Sequence, residues 1–244
     1  MAIVSAPQHH GRQTPHRAKP QMAAFIALFI LAAIGVVLLA RDALQGSSES
    51  SGVQGSGAAA TSTRALPNFS GIDLAGSNNV TVVAGTRQSV VVHADSNLLG
   101  HVTTQVKAGT LIIGDAGSFN AKSPMYVEVS VLSLTALDLS GSGNVTVTGV
   151  RASQLTVTVP GSGDIAATGS VTRLNISIDG SGDAQFSGLT ARNVDAVVSG
   201  SGTIFVTATQ SLDAKVPGSG AVLYSGNPAK VTTSITGSGA VTPG

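Results

Sequence analysis

The stretch Leu155-Thr-Val-Thr-Val-Pro-Gly-Ser-Gly-Asp-Ile-Ala-Ala167 decides the fold. Apolar residues alternate with polar ones up to a Gly-Ser-Gly corner, and the alternation resumes beyond it. Period 2 is the signature of a strand with one face buried and one face wet. The same unit recurs. Gly-Ser-Gly begins at Gly141, Gly161, Gly180, Gly200, Gly218 and Gly237, at intervals of 20, 19, 20, 18 and 19 residues. Before the corners stand Leu155, Val157 and Val159; Leu174, Ile176 and Ile178; Val194, Ala196 and Val198; Leu212, Ala214 and Val216. After them stand Val145, Ile165, Ala184, Ile204, Val222 and Val241. A strand-only repeat of this length predicts an all-β chain folded as a parallel β-helix, or solenoid. One coil cannot bury its own apolar stripe, whereas stacked coils bury each other's and gain a ladder of backbone hydrogen bonds. The corner glycines are expected to supply backbone angles that other residues reach only with strain.

Working outward, the pattern reaches back to Leu66. Phe69-Ser-Gly-Ile-Asp-Leu-Ala-Gly-Ser-Asn-Asn-Val-Thr-Val matches it with Asn78 in place of the second glycine. Asn is the residue next most tolerant of a left-handed backbone. From Gly76 to Gly141 is 65 residues, a little over three periods, holding less regular strands around Val90–Val92, Val102–Val106, Leu111–Ile113 and Tyr126–Val131. Gly114 to Pro124 reads as an inserted loop. The expectation is about nine coils of ~19–20 residues, coiling right-handed by the usual crossover preference. Another Gly-Ser-Gly at Gly55 lacks alternating flanks and is set aside as a decoy.

Ahead of the repeat, residues 41–64 are rich in Ser, Gly and Ala and read as a flexible linker. Met22 to Ala40 is a 19-residue run without a charge, long enough for a transmembrane signal-anchor helix. Arg12, Arg17 and Lys19 precede it with no acidic residue, so 1–21 is expected to form a basic cytoplasmic tail. The competing reading is a cleaved signal peptide, but the apolar run is longer than is usual for one. Either way the domain at 65–244 lies outside the cytoplasm.

Composition narrows the function. The chain has 244 residues with 13 Lys and Arg against 12 Asp and Glu, which excludes a strongly basic nucleic-acid binder. It has no cysteine, hence no disulfide framework, thiol nucleophile or Cys-ligated zinc.

The opening Leu66-Pro-Asn-Phe-Ser-Gly-Ile-Asp-Leu, the middle Val92-His-Ala-Asp-Ser-Asn-Leu-Leu with Leu111-Ile-Ile, and the Gly-Ser-Gly-Asn/Asp corners resemble the bacterial head GIN domain family over Ala65 to Gly244. The resemblance implies a parallel β-helix at a bacterial surface and an adhesin-like, non-enzymatic role. It carries no catalytic residues. The sequence departs from an auto-transporter in showing one helical anchor and no ~10-residue alternating segments of an outer-membrane barrel. That implies an anchored surface domain.

Asn144, Asp164 and Asp183 follow three successive corners and could stack as oxygen ligands for Ca²⁺, but Asn and Asp also favour turns. The series ends in Thr203, Ala221 and Ala240. Asp164 with Asp183, and Asp195 with Asp213, could pair as carboxylate dyads. Phe186, Phe205 and Tyr224 are the only aromatics of the repeats, too few for sugar platforms. His93 and His101 have no third ligand at a usable spacing. The Thr146-Val-Thr148 and Thr156-Val-Thr158 ladders are not kept on later coils. No catalytic, cofactor-binding or metal-ligating residue is assigned and no cofactor is implied. The partners expected are the membrane through 22–40, a cell-wall or surface glycan or protein ligand, and a second copy associating weakly through the solenoid end. The alternatives are a polysaccharide-active β-helix enzyme and a structural or sensor domain partnering other envelope proteins.

Overall fold

The computed structural model describes residues 52–244. The expected tail, the helix at 22–40 and the linker as far as 51 lie outside the described residues. Those described are all-β: β1 (Val53–Gln54), β2 (Ala59–Thr63), β3 (Gly71–Leu74), β4 (Asn79–Ala84), β5 (Ser89–Asp95), β6 (Val102–Lys107), β7 (Thr110–Asp115), β8 (Phe119–Asn120), β9 (Tyr126–Val131), β10 (Ala136–Leu139), β11 (Val145–Val159), β12 (Ile165–Ile178), β13 (Ala184–Val198), β14 (Thr203–Val216), β15 (Ala221–Ser225), β16 (Lys230–Ile235) and β17 (Ala240–Pro243).

The repeat folds as a parallel β-solenoid. Strands before the Gly-Ser-Gly corner form one ladder and strands after it form another. The long strands β11 to β14 run through a second bend and belong to both. Register follows the sequence alignment. Val80, Val145, Ile165, Ala184, Ile204, Val222 and Val241 are consecutive partners. Leu111, Ile72, Leu137, Val157, Ile176, Ala196 and Ala214 form a second inward column. Phe186 stacks on Val206 one inward position over from Ile204, and Ile165, Phe186 and Ile204 have no exposed surface. Each rung shields its neighbour's apolar stripe, which is where the hydrophobic gain of the fold lies.

From Gly141 to Gly237 the solenoid makes five turns, and the expectation of about nine coils is too high. The 65 residues between Gly76 and Gly141 do not insert three coils. The Gly141 amide donates directly to the Leu74 carbonyl at 2.9 Å, and β10 pairs in register with β3. The intervening chain instead builds the N-terminal end. β7 and β9 stack parallel on the other side of β3 and β4, while β6 runs antiparallel to β7, β5 antiparallel to β9, and β2 antiparallel to β5. Reversed strands cannot continue a coil, so they close that end.

β1 and β2 also correct the linker boundary at 64. β1 pairs with β8, inside the segment expected to be a plain loop, and β2 pairs with β5. The Gly-Ser-Gly at Gly55 is no solenoid corner, but it is ordered. The amide of Gly57 donates to Asp95 Oδ1 at 2.9 Å, and that of Ser56 to Asn97 Oδ1 at 2.8 Å.

The corner glycines have a different reason from the one expected. None of the six repeat corners has positive φ; that geometry falls at the second bend, as in Gly149 (φ 77°) and Gly169 (φ 136°). At the corners the constraint is approach. A Cβ on Gly161 would strike the carbonyl oxygen of Gly141, and one on Gly163 that of Gly143. Asn78 is tolerated because the rung beneath it carries no Gly-Ser-Gly corner. Its side chain instead meets Asp115, whose Oδ2 also accepts the Ser77 amide and hydroxyl at 2.8 Å each.

Candidate functional site

The two ladders turn alternate side chains outward, in register from rung to rung. On the face formed by the strands before the corners, Thr156, Asn175, Asp195, Asp213 and Thr232 make one outward column. Asp73, Asp138, Thr158, Ser177, Val197, Lys215 and Ser234 make a second. At ~4.8 Å per rung this is a regularly spaced array of mostly hydroxyl, amide and carboxylate groups, broken at Val197 and Lys215. Such a surface can hydrogen-bond an extended ligand along several rungs.

Asn144, Asp164 and Asp183 do stack at successive corners, and Oδ1 of each is engaged between rungs. The Asn144 amide donates to Asn79 Oδ1 (3.3 Å), Asp164 to Asn144 Oδ1 (3.0 Å), Asp183 to Asp164 Oδ1 (2.9 Å) and Thr203 to Asp183 Oδ1 (2.7 Å). The turn preference of Asn and Asp thus operates between rungs: each side chain satisfies the amide at the end of the next corner. Among the described residues no group of three or more His, Asp or Glu side chains converges to hold a metal ion.

Asp195 and Asp213 are direct partners in register, as the spacing implied. Each has its own cation: Arg173 lies 3.7 Å from Asp195, and Lys215 lies 3.7 Å from Asp213. His93 does meet an acid across the sheet. Antiparallel pairing of β5 with β9 sets its Nε2 3.2 Å from Glu128 Oε2, with the imidazole stacked on Tyr126 at 4.2 Å. His101 Nδ1 lies 2.6 Å from the carbonyl of Ala116 and is engaged there.

Sequence reasoning missed two acidic sites. Asp73 and Asp138 are partners in register because β10 pairs with β3. Burial pushes the Asp73 carboxyl above its ordinary range and the charge of Asp138 adds to this, while a hydrogen bond from the Ser140 hydroxyl (2.9 Å) opposes it. Both aspartates stand three residues before a corner glycine, a signal in the sequence, but the expected three periods between Gly76 and Gly141 separated them. The second is Asp95, which has no exposed surface. It accepts the Ser123 hydroxyl (2.6 Å) and the amides of Lys122 (2.7 Å), Gly57 (2.9 Å) and Ser123 (3.2 Å). The Ser123 hydroxyl first, and then the Lys122 amide, hold its carboxyl below the usual range against the effect of burial. Asp95 ties the N-terminal segment and the 122–123 loop to β5.

Comparison with known proteins agrees with this architecture. The model of the family described as "Putative auto-transporter adhesin, head GIN domain" matches residues 68–228. A crystal structure of a "putative adhesin" from Bacteroides fragilis superposes with a TM-score of 0.67 at 24% identity, covering 79% of this chain and 100% of that one. Another "putative adhesin", from Parabacteroides distasonis, gives a TM-score of 0.54 at 23% identity, covering 79% and 99%. These two likenesses establish the fold. No curated protein matches the chain.

Proposed function

This chain belongs to the head GIN domain family, and from that premise we propose that it is a non-enzymatic, adhesin-like binding module held at the outer side of a membrane. The family match over residues 68–228 carries the reading. The in-register polar array supplies the surface: the outward columns through Thr156 and Thr158 offer a row of donors and acceptors that an extended glycan or protein segment could follow. The uncharged run at 22–40 serves as the anchor with the N-terminus in the cytoplasm.

A screen of the detergent-solubilised full chain against envelope glycans, cell-wall fragments and surface proteins tests the role. Saturable retention on one such ligand without its chemical change is expected. Release of new reducing ends from a bound glycan would replace this reading with the polysaccharide-active one, and retention on nothing would end both. Protease treatment of intact spheroplasts tests the orientation: residues 52–244 should be digested while the tail is protected.

The solenoid end built by β16 and β17 is the place for self-association. Among the described residues no strand pairs with their outer edge, and Val231 and Ile235 are 39% and 46% exposed. Unpaired edges with exposed apolar residues favour pairing with a second copy. Sedimentation of the full chain in detergent should show a concentration-dependent dimer, and a strict monomer at high concentration would exclude it.

A further inference from the structure

In the middle coils the two bends differ in charge. At the Gly-Ser-Gly edge lie Asp164, Asp179 and Asp183. At the opposite bend, Arg151, Ser170 and Thr190 are consecutive partners in register, with Thr172 and Arg192 two residues beyond Ser170 and Thr190. Residues two apart on a strand share a face, and all five are exposed while Val171 and Ala191 between them are buried. These five side chains line a groove of about 390 Å³ that contains no acidic residue. Among the described residues, neither Arg151 nor Arg192 has an ion-pair partner, in contrast to Arg173 beside Asp195. The two arginines stand two rungs apart, about 9.6 Å along the stack, and two residues apart along the strand, about 6.6 Å across it, with hydroxyls between them.

The geometry points to a binding groove for an acidic linear polysaccharide, whose carboxylates on alternate sugars are received by Arg192 and Arg151. Guanidinium groups take carboxylates in two parallel hydrogen bonds, and they hold their charge at any physiological pH. The Ser170, Thr172 and Thr190 hydroxyls are suited to the intervening sugar oxygens. A chain crossing the rungs obliquely presents one carboxylate to each arginine. This inference rests on the binding-module reading and names the ligand class for one of its surfaces.

The test uses the full chain in detergent and immobilised hyaluronan, which carries a carboxylate on every second sugar, with neutral dextran as the reference. Retention on hyaluronan that weakens as salt rises, and none on dextran, is expected. The R151Q/R192Q variant should bind at least ten-fold more weakly, and each single substitution several-fold more weakly. D179N on the opposite edge should bind unchanged. All of these positions are exposed, so the variants should melt with the parent. Equal binding to dextran, or undiminished binding by R151Q/R192Q, would overturn the proposal. So would arginine-dependent retention on phosphatidylglycerol vesicles with none on hyaluronan, which would assign the groove to a lipid surface. Attachment to envelope fractions is measured alongside. Wild-type attachment without hyaluronan binding removes the groove and leaves the adhesive role, whereas arginine-dependent hyaluronan binding without attachment removes that role and keeps the groove.

Discussion

The two ends of the solenoid are built by opposite rules. At the N-terminal end the chain reverses: β6 and β5 run antiparallel to the rung beneath them, β2 folds over β5, and Asp95 binds two further segments to the cap. Leu98, in the reversal between β5 and β6, has no exposed surface. At the C-terminal end every strand keeps the parallel direction, and all of β16 is exposed. A cap needs irregular sequence, because it must end a pattern. A rung added to the stack needs only the pattern. The same substitution should therefore cost most within the stack, less at the cap and least at the open end.

The largest effect is expected at an interior corner. Gly161→Val directs a side chain into the Gly141 carbonyl and should destabilise by more than ~4 kcal/mol, or prevent folding. Gly237→Val meets the equivalent Gly218 carbonyl but lies on the last corner, where the rung can fray. Chemical denaturation of both variants measures the contrast, and equal losses would break it.

The cap comes next. Asp95→Ala leaves the amides of Gly57 and Lys122 without their acceptor and should lower the melting temperature by several degrees. Acid should reproduce this. The folded carboxyl titrates below its unfolded value of about 3.9, so its stabilisation is present above that pH and is lost as pH falls through the lowered value. Asp73 has the opposite sign: its raised carboxyl favours the fold at low pH, and that contribution is lost as pH rises through the raised value. Melting curves between pH 2 and 6 should show a shallower acid loss for Asp95→Asn than for the parent. Asp73→Asn should melt slightly higher than the parent at neutral pH.

The smallest effect on folding is expected at the open end. Val231→Lys with Ile235→Lys should change stability by no more than ~0.5 kcal/mol, as at other exposed sites. The pair should nevertheless abolish any dimer seen by sedimentation, because charge on an edge opposes strand addition.

These contrasts also explain what the sequence could reveal. Alternation around the corners gave the inward columns through Ile165 and Ile176 directly, because a parallel stack repeats its own register. The cap strands β5, β6, β7 and β9 were visible as strands. Their partners were not, since a run such as Val90–Val92 says nothing about which way its neighbour points. The hydrogen bond from Gly141 to Leu74 spans the whole insertion, and nothing local to either residue encodes it. Composition misled at Ala59–Thr63, where small polar residues pair as a strand because β5 offers an edge. Of the polar surface, the stacking of Asn144 with Asp164 and Asp183 was legible from their common place one residue after each corner. The encounter of Asp73 with Asp138 depended on the insertion and was not.

The corner ladder from Asn79 to Thr203 has an evolutionary corollary. Each unit donates its amide to its predecessor's side-chain oxygen and offers its own oxygen to its successor, so a duplicated unit could be spliced in without disturbing either flank. Gene slippage could then lengthen or shorten the solenoid in whole steps while the N-terminal cap is inherited unchanged.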